Sequence, residues 1–283
     1  MKIILSRKGF DSEFGGWPSP ILPDGKMVSL PIPAFKKPGN FAYSELLFEG
    51  KSLYEIMKQL NSKIKVGGKW IKFTKDVKCH LDPDIYKNFL PRPKGWRPIF
   101  GQIGAAAKHL ENQKVKEGDL FLFFGTFRKT KYSGGKLIFD PDSPPVHLIF
   151  GYFQIGKILK VKLETKVSKW VKYHPHCSLE KRKTKNNTIF IARKNLSWNK
   201  NLPGAATFLY FDESLVLTKN GFSKSIWKLP EFFKKVKISY HSNGNWNGDY
   251  FKARSRGQEF VIEGNKDVKD WAKNLIETNS KII

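Results

Sequence analysis

The sequence predicts an α+β fold with a mixed, strongly β-rich core and flanking helices. Two long runs in the middle of the chain, Asp119–Arg128 (DLFLFFGTFR) and Val146–Ile155 (VHLIFGYFQI), are apolar at successive positions. That is the pattern of strands covered on both faces. Helical spacing of apolar residues is confined to three separate stretches, and turn-forming Gly, Pro, Asn and Asp punctuate the remainder. A chain of 283 residues can bury a real hydrophobic core as one large domain or two small ones. We expect a single domain spanning 1–283.

The first strand is Ile3-Ile4-Leu5, a short apolar run that stops at Ser6. The loop after it is rich in chemistry. Arg7 and Lys8 are adjacent, Asp11 follows three residues on, Gly15-Gly16 and Pro18-Ser19-Pro20 shape the backbone, and Asp24 sits in the turn Pro23-Asp24-Gly25. Glycine frees the backbone and proline fixes φ, so this loop is expected to be held in one shape. The first helix begins at Ser52, with Glu55 in the capping-box position and Leu53, Ile56, Met57 and Leu60 on one face. Gly101–Leu110 (GQIGAAAKHL) reads as a second helix with Ile103, Ala106, Ala107 and Leu110 inward, and Lys266–Glu277 as a third, capped by Asn265. Internal Gly125 and Gly151 predict a bulge or sharp bend in the two central strands. A strand continues over Ile158–Leu163, and a short one is expected at Leu137–Phe139. Thr188–Ala192, Ala205–Phe211, Leu215–Thr218 and Val236–Tyr240 read as later strands, with a polar turn over His241–Asp249.

Composition narrows the partner more than the reaction. There are 51 Lys and Arg residues against 25 Asp and Glu, a formal charge of +26. Such an excess favours a polyanion and accelerates its capture. We expect a nucleic acid, DNA in preference to RNA, and no membrane. Two cysteines, Cys79 and Cys177, cannot make a disulfide framework, which suits a reducing cytoplasm. Met1 is not followed by a signal-peptide pattern, and no window approaches 18 consecutive apolar residues.

Basic residues beside aromatic ones are the usual means of holding phosphate and a neighbouring base. Two segments have that composition: Arg92, Lys94, Trp96 and Arg97 in a proline-broken stretch, and Lys181, Arg182 and Lys183 close to Trp170, Tyr173 and His174. Rigid linkers and solvated charge runs look the same. His80 and Asp82 are two apart and share a face in an extended segment. His174, His176 and Cys177 with Cys79 and His80 contain zinc-ligand types, but their spacing matches no knuckle, and ordinary turn histidines are the expected reading. No compact metal motif and no nucleotide-cofactor motif is present, so neither metal nor cofactor is assigned.

Two mixed-charge sets remain. One is Arg7, Lys8, Asp11 and Asp24. The other is Arg254, Arg256, Gln258 and Glu259 near the C-terminus. Terminal strands often meet in one sheet, so both sets are expected to face one cleft. There the arginines would clamp phosphate, Gln258 would read a base edge, and Asp11 or Glu259 would act as base, nucleophile or oxocarbenium stabiliser, with Lys8 and Asp24 in support. Trp17, Trp96 or Phe10 would stack against a base that has left the helix.

The string SRKGFDSEFGGWPSPILPDG with the later SLPIP, GQIGAAA, GDLFLFFGTFR and GQEFVIE resembles the nucleotide modification associated domain 3 family. The resemblance extends over most of the chain and implies a place in systems that modify DNA bases, with no particular reaction attached. The order Gly118-Asp119, strand, glycine-rich loop, His147-led strand and Gly156 also resembles the small PUA-like barrel used by base-modification proteins. A barrel-like subregion is therefore expected over 115–165, although a jelly roll or an open mixed sheet satisfies the same periodicity. The expected function is nucleic-acid-directed modification or processing of a base, with the N-glycosidic bond as the favoured target. A non-catalytic reader of modified DNA is the alternative. A metal-dependent nuclease is a further one, and would need Asp11, Asp24 or Glu259 to hold Mg²⁺.

Overall fold

A computed structural model of the protein describes residues 1–34, 41–255 and 257–280. Nine strands form its main sheet: β1 (Ile3–Arg7), β2 (Ser19–Ile21), β3 (Ile99–Gln102), β4 (Leu120–Ser133), β5 (Lys136–Phe139), β6 (Val146–Lys160), β7 (Thr188–Ala192), β8 (Ala205–Thr207) and β9 (Glu259–Ile262). The continuous path runs β9-β1-β4-β6-β7-β3, while β2 and β5 attach to β4 and β8 attaches to β6. β1 and β4 run parallel, as do β2 and β4, and the other pairings are antiparallel. Among the described residues the four α-helices are α1 (Leu53–Leu60), α2 (Gly104–Asn112), α3 (Leu179–Arg182) and α4 (Lys266–Asn279). The α+β class with a large mixed sheet is thus the observed one. No described helix is long and apolar enough to cross a membrane.

The central strands follow from their composition. Leu120 to Phe124 in β4 and Leu148 to Phe153 in β6 are buried without a break. Fully apolar strands need cover on both faces, and β4 lies at the centre of the sheet. The predicted irregularity is present. The β4–β6 register shifts between Phe123 and Phe124, beside Gly125, and the β6–β7 register shifts between Ile155 and Lys157, at Gly156. A Cβ on Gly125 would lie 2.7 Å from the carbonyl oxygen of Lys8, so glycine here lets the end of β1 approach the bulge.

The sheet is strongly curled. Phe100 of edge strand β3 packs on Phe121 and Phe123 of central β4, with ring centroids 5.1 and 5.2 Å apart. On the far edge, Glu259 of β9 accepts a hydrogen bond from the side chain of Gln102 in β3. Side chains therefore bridge the two edges, and no backbone ladder joins β3 to β9 among the described residues. The 115–165 region supplies β4, β5 and β6 of this curled open sheet.

The starts of α1 and α4 agree with their capping chemistry. Ser52 and Glu55 make both bonds of the capping box (3.2 and 2.7 Å), and Asn265 accepts from the Val268 amide at 3.0 Å. α4 lays Val268, Ala272, Leu275 and Ile276 into the main core. The N-terminal loop is pinned as its glycines and prolines suggested. Phe10 is fully buried among Val28, Leu30, Tyr43 and Leu53, and a Cβ on Gly15 would fall 2.3 Å from its ring.

Three elements differ from expectation. Gly101 and Gln102 belong to strand β3, and α2 starts at Gly104, whose φ of +60° breaks the extended chain. Apolar spacing could not reveal this, because the pull into the sheet comes from pairing with β7. Val236–Tyr240 makes only the isolated bridge Ile238–Ile262 and ends at Tyr240, with φ of +66°. Leu215–Thr218 is a 3₁₀ turn at Glu213–Leu215 followed by single bridges at Val216 and Thr218.

Candidate functional site

The end of β1 places two adjacent cations on opposite faces. Side chains alternate along a strand, so Ser6 and Lys8 point one way and Arg7 the other. Ser6 stands opposite Glu259 in the antiparallel β1–β9 ladder, which makes them side-chain neighbours. Lys8 Nζ lies 2.8 Å from Glu259 Oε1, with side chains 9% and 0% exposed. The Lys8 ammonium also sits 4.7 Å from the centre of the Phe100 ring. Gln102 donates to the same Glu259 oxygen and lies 3.2 Å from Gln258 Oε1. Buried oxygens in folded proteins are normally paired. Glu259 Oε2 and Ser6 Oγ are buried here with no hydrogen-bond partner among the described residues. Exposed Gln258 and Tyr240 form the lip of this site. The Tyr240 ring stacks on His109 at 4.1 Å, and His109 Nε2 is 3.0 Å from Ser239 Oγ. Burial lowers the His109 pKa, opposed by the charge of Glu259.

Arg7 faces the other side. Its guanidinium donates to the carbonyls of Ser255 and Arg254 at 2.7 and 2.8 Å and lies 5.7 and 5.9 Å from the Phe124 and Phe260 ring centres. Burial lowers its pKa, and Asp11 opposes that shift. Asp11 Oδ1 accepts from the Glu13 and Phe14 amides at 2.8 and 2.7 Å, closing its own turn. The two mixed-charge sets therefore do meet along the β1–β9 ladder, but Lys8, Gln258 and Glu259 gather at one site while Arg7, Asp11 and the Arg254 carbonyl gather elsewhere. Asp24 lies in an exposed turn and pairs with Lys26 at 3.3 Å. Arg256 lies outside the described residues.

The residues expected to hold phosphate are unevenly available. Lys94 and Lys183 are exposed and Arg97 is half-buried. Arg92 is engaged internally: its guanidinium donates to both oxygens of fully buried Asp84 at 2.8 and 2.7 Å and stacks 4.0 Å from the Trp96 ring centre. Tyr173 donates to the same carboxylate and receives a hydrogen bond from Trp96 Nε1. Arg182 reaches the carbonyls of Cys177 and Thr165, both at 3.0 Å. Removing one member of a buried ion pair leaves the other charge stranded. Arg92→Ala should therefore cost about 3–5 kcal/mol of folding stability, read by urea denaturation. A variant that loses nucleic-acid affinity at unchanged stability would contradict this. The proposed stackers are also engaged within the fold, with Trp17 and Trp96 half-buried. Phe10 is buried, Trp17 bonds the Lys63 carbonyl at 2.8 Å, and Trp96 lies under Arg92.

A second cluster assembles from segments remote in sequence. Asp82 Oδ1 accepts from the Gly101 amide at 2.9 Å and lies 3.4 Å from His174 Nε2, while His176 Nε2 and His80 Nε2 approach Oδ2 at 3.2 and 3.6 Å. Lys181 Nζ lies 3.2 Å from His176 Nε2 and 3.3 Å from His80 Nε2. His176 Nδ1 is 2.7 Å from Asn187 Oδ1. Gly101 makes the packing possible, because a Cβ there would fall 2.4 Å from the His176 ring. Burial would raise the Asp82 carboxyl, but its contacts with His174, His176 and His80 outweigh that and hold it well below the usual range. Burial lowers His176 to about 4 and also lowers His80 and Lys181. Neither cysteine takes part: Cys79 Sγ is directed at the Phe41 carbonyl, and Cys177 lies beside Arg182. The signal in the sequence was the His80/Asp82 and His174/His176 spacing, with each pair two residues apart. Gln102, Ser239 and Tyr240 carried no comparable signal.

The family model for nucleotide modification associated domain 3 matches residues 2–263. The chain belongs to that family. The match takes in β1, β9, the Lys8–Glu259 site and the histidine cluster, so both arrangements lie within the family domain. No curated protein and no solved structure matches the chain. The family's association with nucleotide modification gives the protein, as a whole, a nucleic-acid context.

Proposed function

We propose that this protein acts on nucleic acid, DNA in preference to RNA, and modifies or processes a base, with the N-glycosidic bond as the favoured target. The observation that carries the assignment of chemistry is the buried, unpartnered Oε2 of Glu259, beside the equally unpartnered Ser6 Oγ and within the reach of Lys8. A carboxylate oxygen held out of water with capacity to spare can accept a proton from an attacking group, or stabilise positive charge on a sugar as a glycosidic bond opens. Lys8 can donate a proton or a charge-assisted hydrogen bond to the departing base. Tyr240 takes the role first given to Trp17, Trp96 or Phe10. It is 43% exposed, is backed by His109 and offers a face on which an extruded base can stack. Gln258, exposed at the lip, has the paired donor and acceptor needed for a base edge. Exposed Lys94 and Lys183 supply phosphate contacts.

The test pairs binding with product analysis. Affinity for a short duplex or single strand should fall steeply as salt rises from about 50 to 200 mM, each neutralised phosphate adding about 0.7–0.9 to the log–log slope. A flat response removes the nucleic-acid partner. Incubation with modified and unmodified DNA and RNA, followed by nucleoside mass spectrometry, should reveal a changed or released base. Tight, salt-sensitive binding with no altered nucleoside from any substrate would make the protein a reader of modified DNA.

A further inference from the structure

We infer that His80, His176 and Asp82 form a divalent transition-metal site of the two-imidazole, one-carboxylate class, and that Lys181 competes with the cation for it. The inference stands on geometry separate from the Lys8–Glu259 site and does not depend on the function proposed there.

Three independent features point to a metal. The first is spacing. Zinc-like ions hold nitrogen and oxygen ligands at about 2.0–2.2 Å in a tetrahedron, so donor atoms should stand about 3.3–3.6 Å apart. His176 Nε2 and His80 Nε2 lie 3.2 and 3.6 Å from Asp82 Oδ2, and one donor atom from each of the three residues falls within 4.8 Å of the others. The second feature is tautomer. Asn187 Nδ2 donates to the carbonyls of His176 and Val161 at 2.9 and 3.3 Å, which fixes its oxygen toward His176 Nδ1. His176 must donate from Nδ1, so its Nε2 presents a lone pair to the cluster. That support for the outer nitrogen is the usual arrangement behind a metal-bound histidine. The third feature is the carboxylate. The Gly101 amide donates to Oδ1 at 2.9 Å and His174 Nε2 lies 3.4 Å from that oxygen, leaving Oδ2 aimed at the two remaining imidazoles. His174 is thus a positioning residue for Asp82 and not a ligand.

Lys181 identifies the centre as a cation's place. Its ammonium contacts both inward-facing Nε2 atoms and is drawn there by Asp82. Lone pairs that accept from an ammonium are those that a metal ion would take, so binding requires Lys181 to swing out, and its half-buried side chain has solvent to move into. Two imidazoles and one carboxylate suit zinc, iron(II) or cobalt(II) and leave room for water or a substrate oxygen. His80, 21% exposed, marks the open side.

The experiment uses full-length protein without a histidine tag, titrated with Co²⁺ and Zn²⁺ by calorimetry, with visible absorption of bound Co²⁺ as a second readout. Wild-type protein should bind one ion with the spectrum of a nitrogen- and oxygen-ligated site. His80→Gln and His176→Gln should each weaken binding by about 100-fold or more, and His174→Gln by about 10-fold, the size expected for an orienting neighbour. Lys181→Met, which removes the competing charge at a half-exposed position, should tighten binding at least about tenfold. Absence of saturable binding in both the wild type and Lys181→Met overturns the inference, as does binding that survives His80→Gln and His176→Gln unchanged. Thermal melting of each variant without added metal separates lost ligands from lost fold. His80→Gln is the most informative of them, since His80 is the least buried histidine of the cluster.

Discussion

Glu259→Gln should lower the rate of base modification by about 10²–10⁴-fold, the range for loss of a general acid or base, while nucleic-acid affinity stays nearly constant. The side chain is fully buried, so it contributes little to phosphate contact, and a group that acts only as charge develops affects the transition state more than the bound ground state. The substitution also strands Lys8, whose side chain is 9% exposed and whose ammonium lies 2.8 Å from Glu259. A stability loss of about 3–5 kcal/mol should accompany it for that reason alone. The double variant Lys8→Met/Glu259→Gln removes both charges, and its melting temperature should recover toward that of the wild type without recovery of turnover. If turnover recovers with stability, Glu259 is structural and the site lies elsewhere. Asp11→Asn provides the contrast. Asp11 closes its own turn and neighbours Arg7, so turnover should survive its loss of charge. Tyr240→Ala should raise KM with a smaller effect on kcat, because a stacking platform serves bound substrate and transition state alike.

These expectations differ from those drawn from the sequence in ways that trace to particular residues. The central strands and the helix caps were legible because their signals are local: an unbroken apolar run in β4, a Ser with a Glu three residues on at α1, and an Asn before α4. β3 was not legible, since GQIGAAA has helical composition and only pairing with β7 draws its first two residues into the sheet. Arg7 and Lys8 looked like one functional pair, yet strand alternation sends them to opposite faces. Arg92 looked like a phosphate contact because residue type does not distinguish an exposed guanidinium from one clamped on Asp84. The histidine cluster was present only as fragments. Its assembly depends on the approach of the 80–82 segment, the 174–176 turn and Lys181 around Gly101, which no local pattern encodes. Glu259 was singled out because mixed charge lies near both termini, and the terminal strands β1 and β9 do pair.

Acid should destabilise the protein through His147, and His147→Asn should remove much of that sensitivity. Trp227 Nε1 donates to His147 Nδ1 at 3.1 Å, and the imidazole lies edge-on to Phe124 and Trp227 at 5.4 and 5.9 Å. Burial, with help from the charges of Arg7 and Lys224, pushes its pKa down from 6.5 to about 3. The folded protein therefore keeps this ring neutral where the unfolded chain takes up a proton. Stability conferred by the neutral ring is fully present above pH about 6.5 and is lost as pH falls toward about 3, at about 1.4 kcal/mol per pH unit. Between pH 6.5 and 4.5 the loss should approach about 2.7 kcal/mol, within a total of about 5 kcal/mol. Other groups and the self-repulsion of a strongly cationic chain also titrate in this range, so the decisive quantity is the difference between variants. Asparagine can place an oxygen where Nδ1 accepts from Trp227 and does not itself titrate. Urea denaturation of wild type and His147→Asn at pH 7 and pH 4.5 should show the variant weaker at neutral pH, yet losing about 2–3 kcal/mol less on acidification. Equal losses in the two proteins would mean that His147 accepts its proton without unfolding. The cage of Phe124, Trp227, Arg7 and Lys224 would then have to open locally at the back of the strands that carry the candidate site.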